Sequence, residues 1–465
     1  MMKTSYWQTK TKIKSFPSLN QDIETDILII GGGLTGLMCA YFLMDSPYKI
    51  TIVERDTIGS HSSSKLTGKV SYLQPEVLSD IKKNFGDLAA LRYFKSSLEA
   101  YKDIVNMIKE HSFDCDFKIN THYFYTLNNQ PYLKDTLDLL GDTVSALKGN
   151  SRHIEMYPLG TLDPVKYMAS IVNLLKDVTI YENTCVYHHE KRHHYHFVKA
   201  NEHTIKAKYV IVATRYPIFQ FPGLYFLKLT QVRAALYLTP IVDHRIVLNV
   251  DKKVYSRNII DDYNIHVENE RDVGKMDELE NIDAKMVWYN QDTCSHDGLP
   301  LIGYYYKKDP TMFVATGYQK WGITLSAVAG KMIRDLILDQ KNEYSDLYDP
   351  HRHTLFASAP KFSKLMFKTM KAEVVGRIFV PNEDIAKLKD QEGLITTLND
   401  KMIAIYKDQQ YYYGYIPVCT HLGCILKYNP LEHTFECPCH GSRFDHHGQV
   451  EDGPAILPLT PYSNQ

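Results

Sequence analysis

An α/β body followed by a small all-β C-terminal domain is what this sequence predicts, on three observations. Near the N-terminus the apolar run Asp26-Ile27-Leu28-Ile29-Ile30 leads directly into a glycine-rich turn and a helix-compatible stretch. Ile50-Thr51-Ile52-Val53 and Tyr209-Val210-Ile211-Val212-Ala213 repeat the pattern of strands covered on both faces, as in a parallel sheet. Beyond about residue 377 the chain changes to short strand-like pieces separated by turns, with four of the eight cysteines among them. A length of 465 residues accommodates two or three folding units at roughly 150 residues each.

Taken in order, the first 25 residues mix Lys, Thr, Ser and Gln without an apolar core. No stretch reaches the roughly 18 apolar residues of a membrane span, so a cytoplasmic protein without a membrane span is expected. After the second strand comes a Ser/Thr/Gly segment, then a helix expected from Asp80 to about Lys109. The histidine-rich run His188 to His196 reads as an ordinary exposed hairpin rather than a metal site. Gln340 to Ser363 is polar and broken by Pro350 and Pro360, which places a domain boundary between there and about Arg377. With 53 Lys+Arg against 54 Asp+Glu, no global attraction to nucleic acid or anionic lipid is expected. Cys39, Cys115, Cys185 and Cys294 are scattered, as suits a reducing compartment. Cys419, Cys424, Cys437 and Cys439 crowd together, a spacing that indicates metal.

Gly31-Gly32-Gly33-Leu34-Thr35-Gly36 satisfies the Gly-x-Gly-x-x-Gly spacing between a strand and a helix. Gly31 permits the tight turn, Gly33 the approach of a pyrophosphate, and Gly36 close helix–strand packing, while the helix N-terminus offers unpaired N–H groups to phosphates. Glu54 closes the second strand near the ~20-residue offset at which a carboxylate accepts hydrogen bonds from a ribose. The fingerprint alone leaves NAD and FAD open.

Val53-Glu54-Arg55-Asp56 with Ile58-Gly59 and Ser62-Ser63-Ser64 to Thr67 resembles the FAD-binding segment of the D-amino-acid oxidase and glycine/sarcosine oxidase superfamily. Val210 to Thr214, Asp297 to Gly303 and Val314 to Thr324 are similar to further segments of that family, and together they span most of residues 25–340. The resemblance implies a Rossmann-like FAD-binding domain (about 25–85, 165–215 and 300–345) with an inserted antiparallel-sheet substrate domain (about 86–164 and 216–299). It implies FAD contacts from Gly31, Gly33, Leu34, Thr35, Gly36, Glu54, Arg55 and Ala213, with Ser62, Ser63 and Thr67 near the pyrophosphate and Val186 at the adenine. A helix read from Ser326 onward would turn its N-terminus, through Gly322-Ile323-Thr324, to the flavin edge where negative charge gathers on reduction. No cysteine resembles the covalent flavin attachment of sarcosine oxidases, so non-covalent FAD is expected. Where amino-acid-oxidising relatives carry an Arg-Pro pair, this chain has Asp292 and Thr293, and an Asp supplies no bidentate fork for a substrate carboxylate. Arg233 is a candidate substitute from another strand, or else a surface ion pair; Tyr318 and Lys320, flanking the flavin turn, are the other catalytic candidates.

Cys419-Thr420-His421-Leu422-Gly423-Cys424 and Cys437-Pro438-Cys439-His440-Gly441-Ser442 form the most specific pattern in the chain. Two thiolates on one iron (Cys419, Cys437) and two imidazoles on the other (His421, His440) suit a [2Fe–2S] cluster of raised potential. Tetrahedral zinc suits the same four residues but leaves Cys424 and Cys439 idle. The pattern resembles Rieske proteins of respiratory complexes over about residues 376–465, and this resemblance implies a Cys424–Cys439 disulfide, a sulfide-bonding Ser442 and a covering proline loop at Gly453-Pro454. The family tyrosine two residues after the serine is Phe444 here, so a lower potential is expected. The expected domains are thus a body at 1–345, a linker at 346–376 and a Rieske domain at 377–465.

The two resemblances imply an oxidoreductase that takes electrons from an amine or amino-acid-like donor onto FAD and passes them through the cluster to a redox protein or a quinone. Two alternatives stay open: a flavin/iron–sulfur relay without amine oxidation, and an oxidase using oxygen directly with a structural cluster.

Overall fold

Strand Ile23–Ile30 occupies the middle of the first sheet, its C-terminal half buried on both faces as its apolar run requires. It pairs in parallel with Ile50–Val53 on one side and His203–Val212 on the other. Thr179–Tyr181 and Asp309–Thr316 extend the parallel arrangement, and Leu301–Tyr306 closes one edge antiparallel. The computed structural model describes residues 4–128, 130–141, 144–241, 245–251, 256–273, 284–378 and 383–463. All five parallel strands end on the same side, where ligands of open α/β sheets bind.

The second sheet is mixed and mostly antiparallel, running from Met286–Ser295 through Leu229–Pro240, Tyr263–Asp272, Ser256–Ile260 and Ile246–Asn249 to Lys118–Tyr125 and His153–Thr161. Two small antiparallel sheets, Gly393–Leu398 with Lys401–Asp408 and Tyr411–Tyr415, and Lys427–Asn429 through Val450–Asp452, form the C-terminal domain. The expected fold class is therefore the observed one.

Three local expectations are corrected. The helix read from Asp80 to Lys109 is two, Pro75–Phe85 and Asp87–Glu110, because Gly86 at φ 83° turns the chain between them. The segment read as a linker contains helix Leu355–Ile378, which continues through Pro360. Proline removes one N–H donor, and Lys361, Lys364 and Lys368 tie this helix to the Ser295 carbonyl, Asp272 and the Val273 carbonyl. Helix Gly322–Ile337 begins four residues earlier than read, so Gly322-Ile323-Thr324 is its first turn. The histidine-rich run is an antiparallel hairpin, Val186–Arg192 with Tyr195–Ala200, in which His189 and His196 are 2.8 Å apart in a hydrogen bond.

Helix Leu34–Leu43, which follows the glycine turn, packs on helix Gly322–Ile337. A Cβ on Gly330 would stand 2.7 Å from the Met38 carbonyl oxygen, so only glycine permits this approach. Gly330→Ala is expected to lower stability by about 1–3 kcal/mol through overpacking, read as a lower midpoint in thermal unfolding of the full chain.

Candidate functional site

The ends of the five parallel strands and the residues just beyond them bring Gly31, Glu54, Thr184, Ala213 and Gly317 to one cavity. Gly31 has φ 111°, and a Cβ on it would meet the Ala213 carbonyl oxygen at 2.7 Å. A Cβ on Gly33 would come within 2.9 Å of Ser63 Oγ, and one on Gly36 within 2.0 Å of the Gly31 carbonyl oxygen. Glycine at these positions keeps a backbone cradle open. Glu54 is buried at its edge and accepts from the Gly32 N–H at 2.7 Å and the Asp56 N–H at 3.1 Å. The cradle, the helix N-terminus and the ribose-side carboxylate together fit the phosphates and sugar of FAD.

Of the residues expected around FAD, Gly31, Gly33, Leu34, Thr35, Glu54, Arg55, Ser62, Ser63, Val186, Ala213 and Gly322 line this cavity. Ser63 Oγ accepts from the Leu34 N–H at 3.0 Å, and Ser62 Oγ donates to the Gln291 carbonyl at 2.9 Å. Gly36 lies beneath the cradle rather than on it. Thr67 and Ile323 line a second cavity instead. Thr324 is buried with its hydroxyl on the Ser71 carbonyl at 2.8 Å, because its place in the helical turn directs it away from both cavities.

The second cavity shares Leu66, Asp292, Lys320 and Gly322 with the first. Ala234, Leu236, Leu248 and Val267 give it an apolar wall, with Lys69 and Glu76 among its polar groups. Burial pushes the Asp292 carboxyl up to about 6, against the pull of Lys320 and Arg215. Burial likewise pushes Lys69 down to about 7, with Glu76 opposing. Tyr318 receives a hydrogen bond from Thr35 at 3.2 Å, and burial pushes its phenol up, so it stays protonated. Lys320, in a left-handed conformation at φ 72°, forms an ion pair with Glu270.

Arg233 corrects both of its expected roles. It is neither at the second cavity nor at the surface; it is 5% exposed and forms a two-pronged pair with Glu432 of the C-terminal domain, with Nε to Oε1 at 2.8 Å. Arg443 joins Glu432 at 2.8 Å, Glu436 at 3.1 Å and Asp452 at 3.0 Å, and Arg215 reaches Asp452 at 3.0 Å. Gln291 Nε2 donates to the Gly441 carbonyl at 2.8 Å, and Gln231 donates to the carbonyls of His440 and Gly453. These contacts seat the tip of the small domain on strands Leu229–Pro240 and Met286–Ser295. As a result Asp452 to Ile456 form part of the wall of the first cavity.

At that tip two loops are built alike. Gly423 and Gly441, both with positive φ, donate their N–H groups to the carbonyls of Cys419 and Cys437 at 3.0 Å. Cys419 and Cys437 are buried, and the neighbouring Cys437 thiol pulls Cys419 down to about 7 against the effect of burial. The rings of His421 and His440 stand 5.2 Å apart, with both His421 nitrogens and His440 Nδ1 buried and without a hydrogen-bond partner among the described residues. Two thiols facing two orphaned imidazoles fit a cluster with one S-ligated and one N-ligated iron. Cys424 and Cys439 form a disulfide with Cα atoms 6.7 Å apart, leaving no idle cysteine. Ser442 Oγ accepts from the Ala455 N–H at 3.0 Å, which anchors the Gly453-Pro454 loop.

Sequence reasoning missed Arg215, Tyr216, Gln231, Gln291 and Asp452. Arg215 and Tyr216 carried a usable signal, since they follow the strand end Val212, where ligand loops of such sheets lie.

A dinucleotide cradle on a parallel sheet, abutting a Cys₂His₂ centre, defines a dinucleotide-dependent redox protein joined to a metal-binding domain. Residues 26–336 match the family model of the FAD dependent oxidoreductases, and residues 379–463 match the Rieske [2Fe-2S] domain. The chain belongs to the FAD dependent oxidoreductase family, with FAD and a [2Fe–2S] cluster as its cofactors. It is 28% identical to YhfW of Bacillus subtilis (strain 168), named as a Rieske 2Fe-2S iron-sulfur protein, over 98% of this chain and 96% of that one. Over 46 residues, 10% of this chain and 26% of that one, it is 56% identical to cytochrome b6-f complex iron-sulfur subunit 2 of Trichormus variabilis. Glycine oxidase from Geobacillus kaustophilus superposes with a TM-score of 0.57 at 16% identity, covering 71% of this chain and 99% of that one. L-Proline dehydrogenase from P. horikoshii gives 0.56 at 18%, covering 72% and 98%. No helix among the described residues is long and apolar enough to cross a membrane.

Burial pushes the Glu432 carboxyl up, but Arg233 and Arg443 more than offset this and hold it below its usual range. Its share of domain docking is therefore complete above roughly pH 4.3 and lost as acidification passes the lower folded-state value. Arg233→Met is expected to weaken docking by about 3 kcal/mol, measured as faster proteolysis between the two domains at neutral pH.

Proposed function

We propose that the protein oxidises a small amine or amino-acid-like donor in the second cavity, at FAD held in the first, and passes the electrons through the cluster to a redox protein or a quinone. One observation carries this reading: the Rieske-domain segment Asp452 to Ile456 and the glycine cradle wall the same cavity. FAD, when bound, accepts two electrons from the donor and yields them singly to a one-electron cluster.

The chain's own residues have distinct tasks in this scheme. Gly31, Gly33 and the Leu34 helix end receive the pyrophosphate, and Glu54 receives the ribose. The N-terminus of helix Gly322–Ile337 meets both cavities and offers a positive dipole end to the flavin edge. Cys419 and Cys437 hold one iron, His421 and His440 the other, and the Cys424–Cys439 disulfide braces the loops. Neither Tyr318 nor Lys320 is assigned as a base, since the first stays protonated and the second is paired.

The donor class is supported by the names of the superposed proteins, which act on glycine and L-proline, and by Asp292 at the junction of the two cavities. Its carboxylate attracts an ammonium group and repels a carboxylate. The same residue favours a second reading, a redox relay without amine oxidation, because among the described residues no arginine lines the second cavity to hold an amino acid.

Titration of the anaerobic holoprotein with amino acids, N-methyl amines and polyamines, followed by visible absorbance, separates the two. Bleaching of flavin followed by reduction of the cluster is expected. If no donor reduces either centre although dithionite reduces both, the relay reading replaces this one. For a donor found in this way, KM is expected to fall as pH rises through about 6, where Asp292 ionises. Asp292→Asn is expected to raise KM about tenfold and flatten that profile, as steady-state kinetics from pH 5 to 8 will read.

A further inference from the structure

Two cations that line the glycine-cradle cavity are both fastened to the small domain. Arg55, just beyond strand Ile50–Val53, donates through Nη2 to the Glu451 carbonyl at 3.1 Å. Arg215, just beyond strand His203–Val212, donates to the Asp452 carboxylate at 3.0 Å and to Ser62 Oγ at 2.6 Å. The segment that follows, Gly453 to Ile456, stands in the wall of the same cavity and is braced from both domains. Gln231 of the body donates to the Gly453 carbonyl at 3.1 Å, and the Ala455 N–H donates to Ser442 Oγ of the small domain at 3.0 Å. Pro454, Ala455 and Ile456 bring apolar surface to the cavity.

We propose that Gly453 to Ile456 of the iron–sulfur domain form part of the FAD-binding site, so that docking tightens FAD and FAD in turn holds the two domains together. The inference rests on FAD occupying the first cavity. The body supplies the glycine cradle and the ribose-side carboxylate, but the wall is complete only when the small domain is seated. Undocking opens the cavity to water and withdraws the apolar contacts of Pro454, Ala455 and Ile456. It also frees Arg215, whose attraction for a diphosphate is then screened by solvent and salt, so the loss of the wall decides the sign. In the docked state Asp452 meets Arg215 and Arg443, each at 3.0 Å, and its matched charge does not oppose the diphosphate. A ligand that prefers the docked state shifts docking by the same factor by which docking raises its affinity.

Calorimetric titration with FAD of full-length protein stripped of FAD but retaining its cluster, as wild type and as Arg233→Glu, tests this. Arg233 lines neither cavity, and a glutamate in its place opposes Glu432 and drives the domains apart. Limited proteolysis between the domains reads the separation, and the visible bands of the cluster show that the small domain is intact. The FAD dissociation constant is expected to rise about tenfold in the separated variant. Separation without a change in that constant overturns the proposal and leaves FAD binding by the body in place. Failure of both proteins to bind FAD overturns the assignment of the first cavity, and the proposal with it. If the variant does not accumulate or stays docked, wild-type protein gives an independent answer. Saturating FAD is expected to slow its cleavage between the domains about tenfold, and equal cleavage with and without FAD overturns the proposal.

Discussion

The chain of buried charges Arg233, Glu432, Arg443, Asp452 and Arg215 is the constraint on which the rest of this molecule depends. Two of its arginines belong to the flavin-binding body and the third to the small domain, while both carboxylates belong to the small domain. Withdrawing such groups from water is expensive, and it is tolerated only because each carboxylate meets two guanidinium groups with directed hydrogen bonds. That arrangement exists in one relative orientation of the domains. A slip of a few ångströms would leave charges buried and unpaired, so the network specifies the docking geometry more sharply than apolar packing alone would.

With the orientation fixed, the parallel sheet and the cluster loops become parts of one site. Five strand ends converge on the cavity, and the small domain closes its wall with the loop that Ser442 anchors. The long helix Leu355–Ile378 joins the two domains as more than a tether, since its lysines are attached at strand ends beside the cluster tip. A helix N-terminus, a carboxyl pushed up by burial and a paired lysine all meet where the two cavities join.

What could be read in the sequence was whatever is encoded over short distances. The glycine turn states its own geometry, because Gly31, Gly33 and Gly36 each stand where a Cβ would collide with backbone or with Ser63. The two Cys/His loops are likewise complete within six residues each, down to the positive-φ Gly423 and Gly441. Arg233 was opaque because its partner lies 199 residues away and a strand arginine looks the same whether it meets solvent or another domain. Thr67 and Thr324 were placed by likeness to segments that bind FAD, whereas their orientation follows from local turns that likeness does not resolve. The helix beyond residue 355 was hidden by Pro360 and by a polar composition that makes sense only when its lysines find carbonyls on the neighbouring sheet.

The burial of the cluster loops also bears on the chemistry of their cysteines. Cys419, Cys437 and His440 are almost wholly enclosed, with the body on one side and the Gly453-Pro454 loop on the other. Cys437 Sγ lies within 4.8 Å of both sulfurs of the disulfide, close enough for thiol exchange between them while the iron ligands are bare. Commitment of Cys437 to iron would remove that nucleophile, so in the assembled domain the cluster would protect the disulfide that braces its own loops.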